Sequence, residues 1–390
     1  MGGFVPPNYF FVYLEGIMNK KGLIQDCLNK LNKLNDMSWE EIVNKYNLDL
    51  NPHELRKRSY GMKMAVESLN DESMDNKTLL EIKKEKQKLS DLRTCVNKDI
   101  RQLAKVENII DLIKEECNNI NDFKFVDIND VPFYKHGSKA NLLISDMHYD
   151  GSKIPIDNFN KLINKTIEMC KKQEVNQLNL MFAGDLINNE LKTTIRLENQ
   201  ENVSKQIVGV AKLISEGIYK LSKYIPIVTY CICSGNHSRS IVNYKEALTT
   251  DSYTPIIKEL IYLRCGEISN VINIFNLRIG EEVDDRFAMF TIGDKNHLIY
   301  HGDGLKNIEK SAIPTLEGYL GVKIDYLYIG HFHNAKEMEF YDSRIIVNSA
   351  LYNRSDYGKK LLFRNSESQK LMILDDDGDI ECTYNINLNK

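Results

Sequence analysis

The chain has 390 residues, with 51 basic against 55 acidic side chains and a net charge of −4. That length suits two or three domains, and 42% hydrophobic with 27% charged residues is globular rather than disordered composition. The charge balance excludes a strongly basic nucleic-acid binder while leaving room for a local basic patch, and no apolar run approaches the length of a membrane span. Eight scattered cysteines without a C-x-x-C pair exclude a disulfide scaffold. They read as reduced intracellular thiols, Cys231 and Cys233 included, which share a face of a buried strand.

Residues 1–17 lack the basic start and continuous apolar stretch of a secretion signal. They read as a leader or added extension, with Met18 as a second start. Residues 18–75 are expected to form helices. Ser38 and Glu41 have capping-box spacing before a short helix, a turn follows at 47–52, and a second helix covers 53–60. This is compatible with a helix-turn-helix, in which Arg56, Lys57 and Arg58 would touch DNA phosphates. It is equally compatible with a small helical packing module that has a solvated basic face.

Residues 76–122 contain neither proline nor glycine. Ile82, Leu89, Val96, Leu103 and Ile110 recur every seven residues, with Leu92, Val106 and Ile113 on the second row and Glu85 and Asp99 interrupting it. The pattern predicts one long coiled-coil-like helix, with homodimerisation as the way to bury its stripe. A linker over 123–137 leads to an α/β domain over 138–390, where short apolar runs alternate with amphipathic helices. Near its end, Asp375-Asp376-Asp377-Gly378-Asp379 predicts a hairpin turn between two strands.

Five apolar strands in this domain end in polar motifs. They are Asp146-Met147-His148, Gly184-Asp185, Gly235-Asn236-His237, His301-Gly302-Asp303 and Gly330-His331-Phe332-His333. Five of the eight histidines fall in these motifs. Open α/β sheets bind ligands at strand carboxyl ends, and imidazole, carboxylate and amide oxygen suit manganese, iron or zinc. The absence of thiolates speaks against a structural zinc site. His297 lies on the His301 face but at the far end of its strand, and it is read as structural.

This ordered set resembles the calcineurin-like metallophosphoesterase superfamily over residues 138–350. The resemblance implies a four-layer αββα sandwich of two mixed sheets, here preceded by an all-helical module. It implies two divalent ions, with manganese preferred and iron, zinc or magnesium as alternatives. One ion would be held by Asp146, His148, Asp185 and His333, and the other by Asp185, Asn236, His301 and His331. His237 would orient the phosphate and protonate the leaving oxygen. Phosphodiester cleavage requires an activated water and charge neutralisation, which two ions about 3.5–4 Å apart supply.

Within the superfamily, residues 143–149, 235–239 and 347–351, together with Tyr357 and Gln369, are similar to phage and prophage proteins described as DNA repair exonucleases. These are distant relatives of the nuclease subunit of double-strand-break repair complexes. The resemblance implies a cytoplasmic DNA nuclease, in the host cytoplasm if phage-encoded. Strands rather than helices after the catalytic core argue against that subunit's ATPase partnership. Where relatives carry an acid after G-N-H, this chain has Ser238-Arg239, and Arg239 could pair with a substrate phosphate. The alternatives are a small-molecule or cyclic nucleotide phosphodiesterase or phosphatase, and a DNA-binding or scaffold protein with an inactive site.

Overall fold

The computed structural model describes residues 22–48, 50–70, 81, 83–93, 96, 107, 110–112, 123, 126, 128–279, 282–352 and 366–389. The chain divides into two units, residues 1–100 and 101–390. Residues 1–17, Tyr357 and most of the heptad segment lie outside the described residues.

In the first unit, α1 (residues 22–31), α2 (Trp39–Lys45) and α3 (Pro52–Asn70) enclose a small core of Cys27, Ile42 and Leu55. The Ser38–Glu41 capping box forms as expected. Asn51 accepts the Glu54 amide at 2.8 Å, and Pro52 opens α3 where its missing N–H costs nothing. The second helix runs ten residues beyond the predicted end at 60. Its one internal breaker, Gly61, is exposed and costs only about 1 kcal/mol. The connector between α2 and α3, residues 46–51, exceeds the roughly 3–4-residue turn of a helix-turn-helix. Of the heptad segment, residues 83–93 are helical (α4), and Leu89, Leu92, Val96 and Ile110 are exposed.

The second unit is built on two six-stranded mixed sheets. In the first, β1 (Ser138–Ile144), β2 (Val175–Ala183), β3 (Ile227–Cys233) and β4 (Val271–Asn273) run parallel. The hairpin of β11 (Ser368–Leu374) and β12 (Ile380–Asn387) is added antiparallel beside β1. The Asp375–Asp379 turn closes that hairpin. In the second sheet, β7 (Lys295–Tyr300), β8 (Tyr326–Ile329) and β10 (Ser343–Val347) run parallel. They are flanked by antiparallel β5 (Asn276–Ile279) and β6 (Glu282–Ile292) on one side and β9 (Lys336–Phe340) on the other.

The outer face of the first sheet is covered by α5 (Lys153–Lys172), α7 (Val203–Ser222) and α8 (Thr254–Cys265), with the short α6 (Thr193–Glu198) between α5 and α7 in the chain, and that of the second sheet by α9 (Ile308–Leu320). This is the expected αββα sandwich. Between the sheets, Leu143, Met181, Cys231, Cys233, Ile299 and Tyr328 interlock. Burial pushes the Cys231 thiol up to about 12, so both cysteines pack as small hydrophobes. His297 is buried against Phe290 and Tyr326 and bonds the Tyr328 hydroxyl at 2.8 Å, a structural role as predicted. Among the described residues, no helix is long and apolar enough to cross a membrane.

Gln369, fully buried, ties three strand ends together. Its Oε1 accepts the Ser145 amide and the Asn348 side chain, and its Nε2 donates to the carbonyls of Ser349 and Ser368. Gln369→Ala orphans those groups, so urea denaturation is expected to show a loss of about 2–3 kcal/mol. A loss below about 0.5 kcal/mol would contradict this role.

Candidate metal centre

The five predicted strand-end motifs converge. Registers Ile144↔Phe182 and Ala183↔Cys233 align the carboxyl ends of β1, β2 and β3, and Tyr300↔Ile329 aligns those of β7 and β8. The two rows are joined across the sandwich. His301 Nδ1 donates to the Ala183 carbonyl at 2.8 Å, and the His331 amide donates to the Asp146 carboxylate at 3.1 Å.

Asp146, His148 and His333 form one donor group, and Asp185, His301 and His331 form another, with each group's donor atoms within 4.8 Å of one another. Asp185 also groups with His148 and His237, so its carboxylate stands between the two sets. Asn236 joins the second set, its Oδ1 lying 3.1 Å from His301 Nε2. The seven predicted ligands are therefore gathered in one place.

The backbone is bent to bring them there. Asp146, His148, Asp185, His331 and His333 all have φ between 43° and 64°, a region that costs a non-glycine residue energy and concentrates at functional sites. Glycines allow the close approaches. A Cβ on Gly235 would stand 2.3 Å from Asp185 Oδ1, and one on Gly184 would stand 2.6 Å from His301 Nδ1.

Burial raises the Asp146 carboxyl, but the imidazoles of His333 and His301 outweigh it and leave it at about 2. For Asp185, burial is likewise overcome by His301 and His237, holding it well below the usual carboxylate range. His301 shows the converse: burial lowers it, and Asp185 and Asp146 raise it to about 10. His148 falls to about 3 through burial and the neighbouring His237.

These side chains fit divalent cations. A backbone carbonyl can only accept, so His301 carries its proton on Nδ1 and turns Nε2 toward Asp185 Oδ2, 3.1 Å away. His148 Nε2 and His333 Nε2 face each other at 3.2 Å, with Asp146 Oδ1 3.1 Å from the latter. Two imidazole lone pairs and a carboxylate at such range require a cation or proton among them.

His237 stands at the edge of this cluster, its ring 4.7 Å from that of His148. Its amide donates to Asp185 at 2.8 Å, and its Nδ1 donates to the Asn188 carbonyl at 2.9 Å, leaving Nε2 as the acid–base atom. Asn188 and Asn189 had no predicted role. The Asn189 side chain donates to the carbonyls of His237 and Arg239 at 2.6 and 2.7 Å, while its amide is held by Gln206. Asn199 links to both asparagines. Only their position just after Gly184-Asp185 could have signalled this.

Arg239 is near the centre but stacks its guanidinium 4.9 Å from the Tyr244 ring centroid. Arg56, Lys57 and Arg58 belong to the first unit, where Arg56 lies over Tyr60 and Arg58 pairs with Glu54 at 2.6 Å.

No protein-family model matches the chain, and no curated protein matches it. It is similar to the solved structure of an archaeal phosphodiesterase, with 17% identity, a TM-score of 0.32, and 63% of this chain and 99% of that one covered. YfcE, a phosphoesterase from E. coli, gives 11%, 0.33, 64% and 100%. Vps29 from Entamoeba histolytica, complexed with zinc, gives 13%, 0.31, 64% and 99%. Likenesses this low leave fold and chemistry resting on topology and site geometry.

Because His301 is held near 10, it is an imidazolium at neutral pH until a cation displaces its proton. Metal binding at pH 7 is expected to release about one proton and to weaken as pH falls. Calorimetric titration with manganese in buffers of different ionisation heats reads this directly. An observed heat independent of buffer would contradict it.

Proposed function

We propose that this chain is a calcineurin-like, dinuclear-metal phosphodiesterase and that its substrate is DNA. The observation that carries the reading is Asp185, one carboxylate shared between a donor group that includes His148 and another that includes His301 and His331. Asp146, His148, Asp185 and His333 would hold one ion, and Asp185, Asn236, His301 and His331 the other. Oxygen and imidazole donors without thiolate suit manganese, iron or zinc, and manganese is the ion we propose.

When bound, two such ions supply an activated water and neutralise charge on the phosphoryl oxygens. The protein's own residues do the rest. His237, oriented by the Asn188 carbonyl, presents Nε2 to the phosphate and gives its proton to the leaving oxygen. Asn236 contributes an uncharged donor, so the site keeps a positive potential toward an anionic diester. Arg239 flanks that position as a further cation. Arg56 and Lys57 on α3 are exposed and suit phosphate contacts. The exposed Leu89 and Leu92 of α4 suit pairing with a second copy.

Manganese-loaded protein is expected to hydrolyse linear DNA. Asp185→Ala should abolish turnover, and His237→Ala should lower kcat by about 10²–10⁴-fold without loss of metal. Failure to cleave either DNA or a simple aryl phosphodiester, with metal shown bound, would overturn the reading. Cleavage of the small diester alone would move it to a nucleotide phosphodiesterase.

Asn189→Ala is expected to lower kcat about tenfold or more by releasing the His237 loop. It should also shift the alkaline limb of the pH–rate profile, where the proton donor is lost, while metal stoichiometry stays unchanged. An unaltered profile would contradict a positioning role.

A further inference from the structure

The connection from β3 to α8 leaves the centre just after His237 and returns as a compact loop. Its base is closed by the Tyr253 amide on the Ser238 carbonyl at 2.8 Å, an Arg239–Ser252 bridge, and the Ser240 amide on Asp251 at 3.0 Å. The Asn189 clamp on the Arg239 carbonyl fixes this base to the same amide that holds His237. Short loops with joined ends are commonly functional.

The tip carries three large apolar side chains in solvent: Val242, Tyr244 and Leu248, at 65%, 60% and 70% exposure. Such clustering beside a polar site marks a contact surface. Tyr244 is braced from below by the Arg239 guanidinium, whose Nε is buried with no hydrogen-bond partner. The ring therefore rests on the side chain that follows His237 by two residues, on a loop base held by the same Asn189 side chain.

We propose that Tyr244, backed by Arg239, is a stacking platform for an unpaired nucleobase next to the scissile phosphate. The substrate class it fits is a single-stranded or unpaired end of a nucleic acid. An exposed ring with a cation beneath it attracts the π-face of any base, whereas a base within a duplex has no free face to offer. The placement beside the scissile phosphate rests on the phosphodiesterase reading, but the stacking itself does not.

The test is binding of a fluorescent, phosphorothioate-linked oligothymidylate and an abasic oligomer of the same length and linkage. Each is titrated with full-length, metal-loaded protein and followed by anisotropy. Wild type and Tyr244→Phe are expected to favour the base-bearing oligomer by about tenfold. Tyr244→Ala should lose that preference and bind the abasic oligomer as before. No preference in wild type, a preference that survives in Tyr244→Ala, or an equal loss on both oligomers would overturn the proposal. Hydrolysis of methyl p-nitrophenyl phosphate, which carries no base, is measured in parallel. Its absence would count against the phosphodiesterase reading alone.

Discussion

The Asp185 carboxylate is 2% exposed and ionised where the strand ends of the two sheets meet. A buried charge is tolerated only when it is compensated, and most of the site follows from that compensation. His301 faces one oxygen at 3.1 Å, and the His237 amide donates to the other at 2.8 Å. Gly235 lets that loop approach without a clashing Cβ. Asp146 repeats the pattern with His333 and the His331 amide. In each case a carboxylate from the first sheet meets an imidazole that follows a strand of the second, and for Asp185 the His237 amide of its own sheet adds a further donor. Holding these pairs fixes how the sheets meet.

The same pairs explain where the backbone departs from its easy conformations. Five of the ten non-glycine residues with positive φ among those described are proposed ligands, and Asn189 is a sixth at the same site. Strain of this kind persists only where surrounding contacts over-determine it. Here those contacts are the Ala183–His301 bond, the Gln369 junction beneath β1 and the asparagine clamp after β2. The scaffold therefore presents the donors ready arranged, which favours binding a cation over reorganising around it.

The strand-end cluster was legible in the sequence because two independent signals coincide. Residue types with metal chemistry fall where an apolar strand run stops, and the order of those stops resembles a known family. The Ser38 capping box and the Asp375–Asp379 hairpin were legible from local spacing alone. The supports were not. Asn189, Asn199 and Gln206 are ordinary polar residues in sequence, and their roles depend on which loops meet in space. The His297–Tyr328–Asn141 contacts across the sheets were equally silent. The end of α3 was misjudged because an exposed glycine tolerates helix, and Gly61 gives no local sign of which way it will go.

The central claim is that Asp185 is the bridge of a two-ion centre. The most direct measurement is a crystal structure of the manganese-soaked protein, with an anomalous difference map collected for wild type and Asp185→Ala. The account predicts two peaks about 3.5–4 Å apart in wild type, with Asp185 between them, and loss of at least one in the variant. A single peak, or two peaks that persist without Asp185, would contradict it.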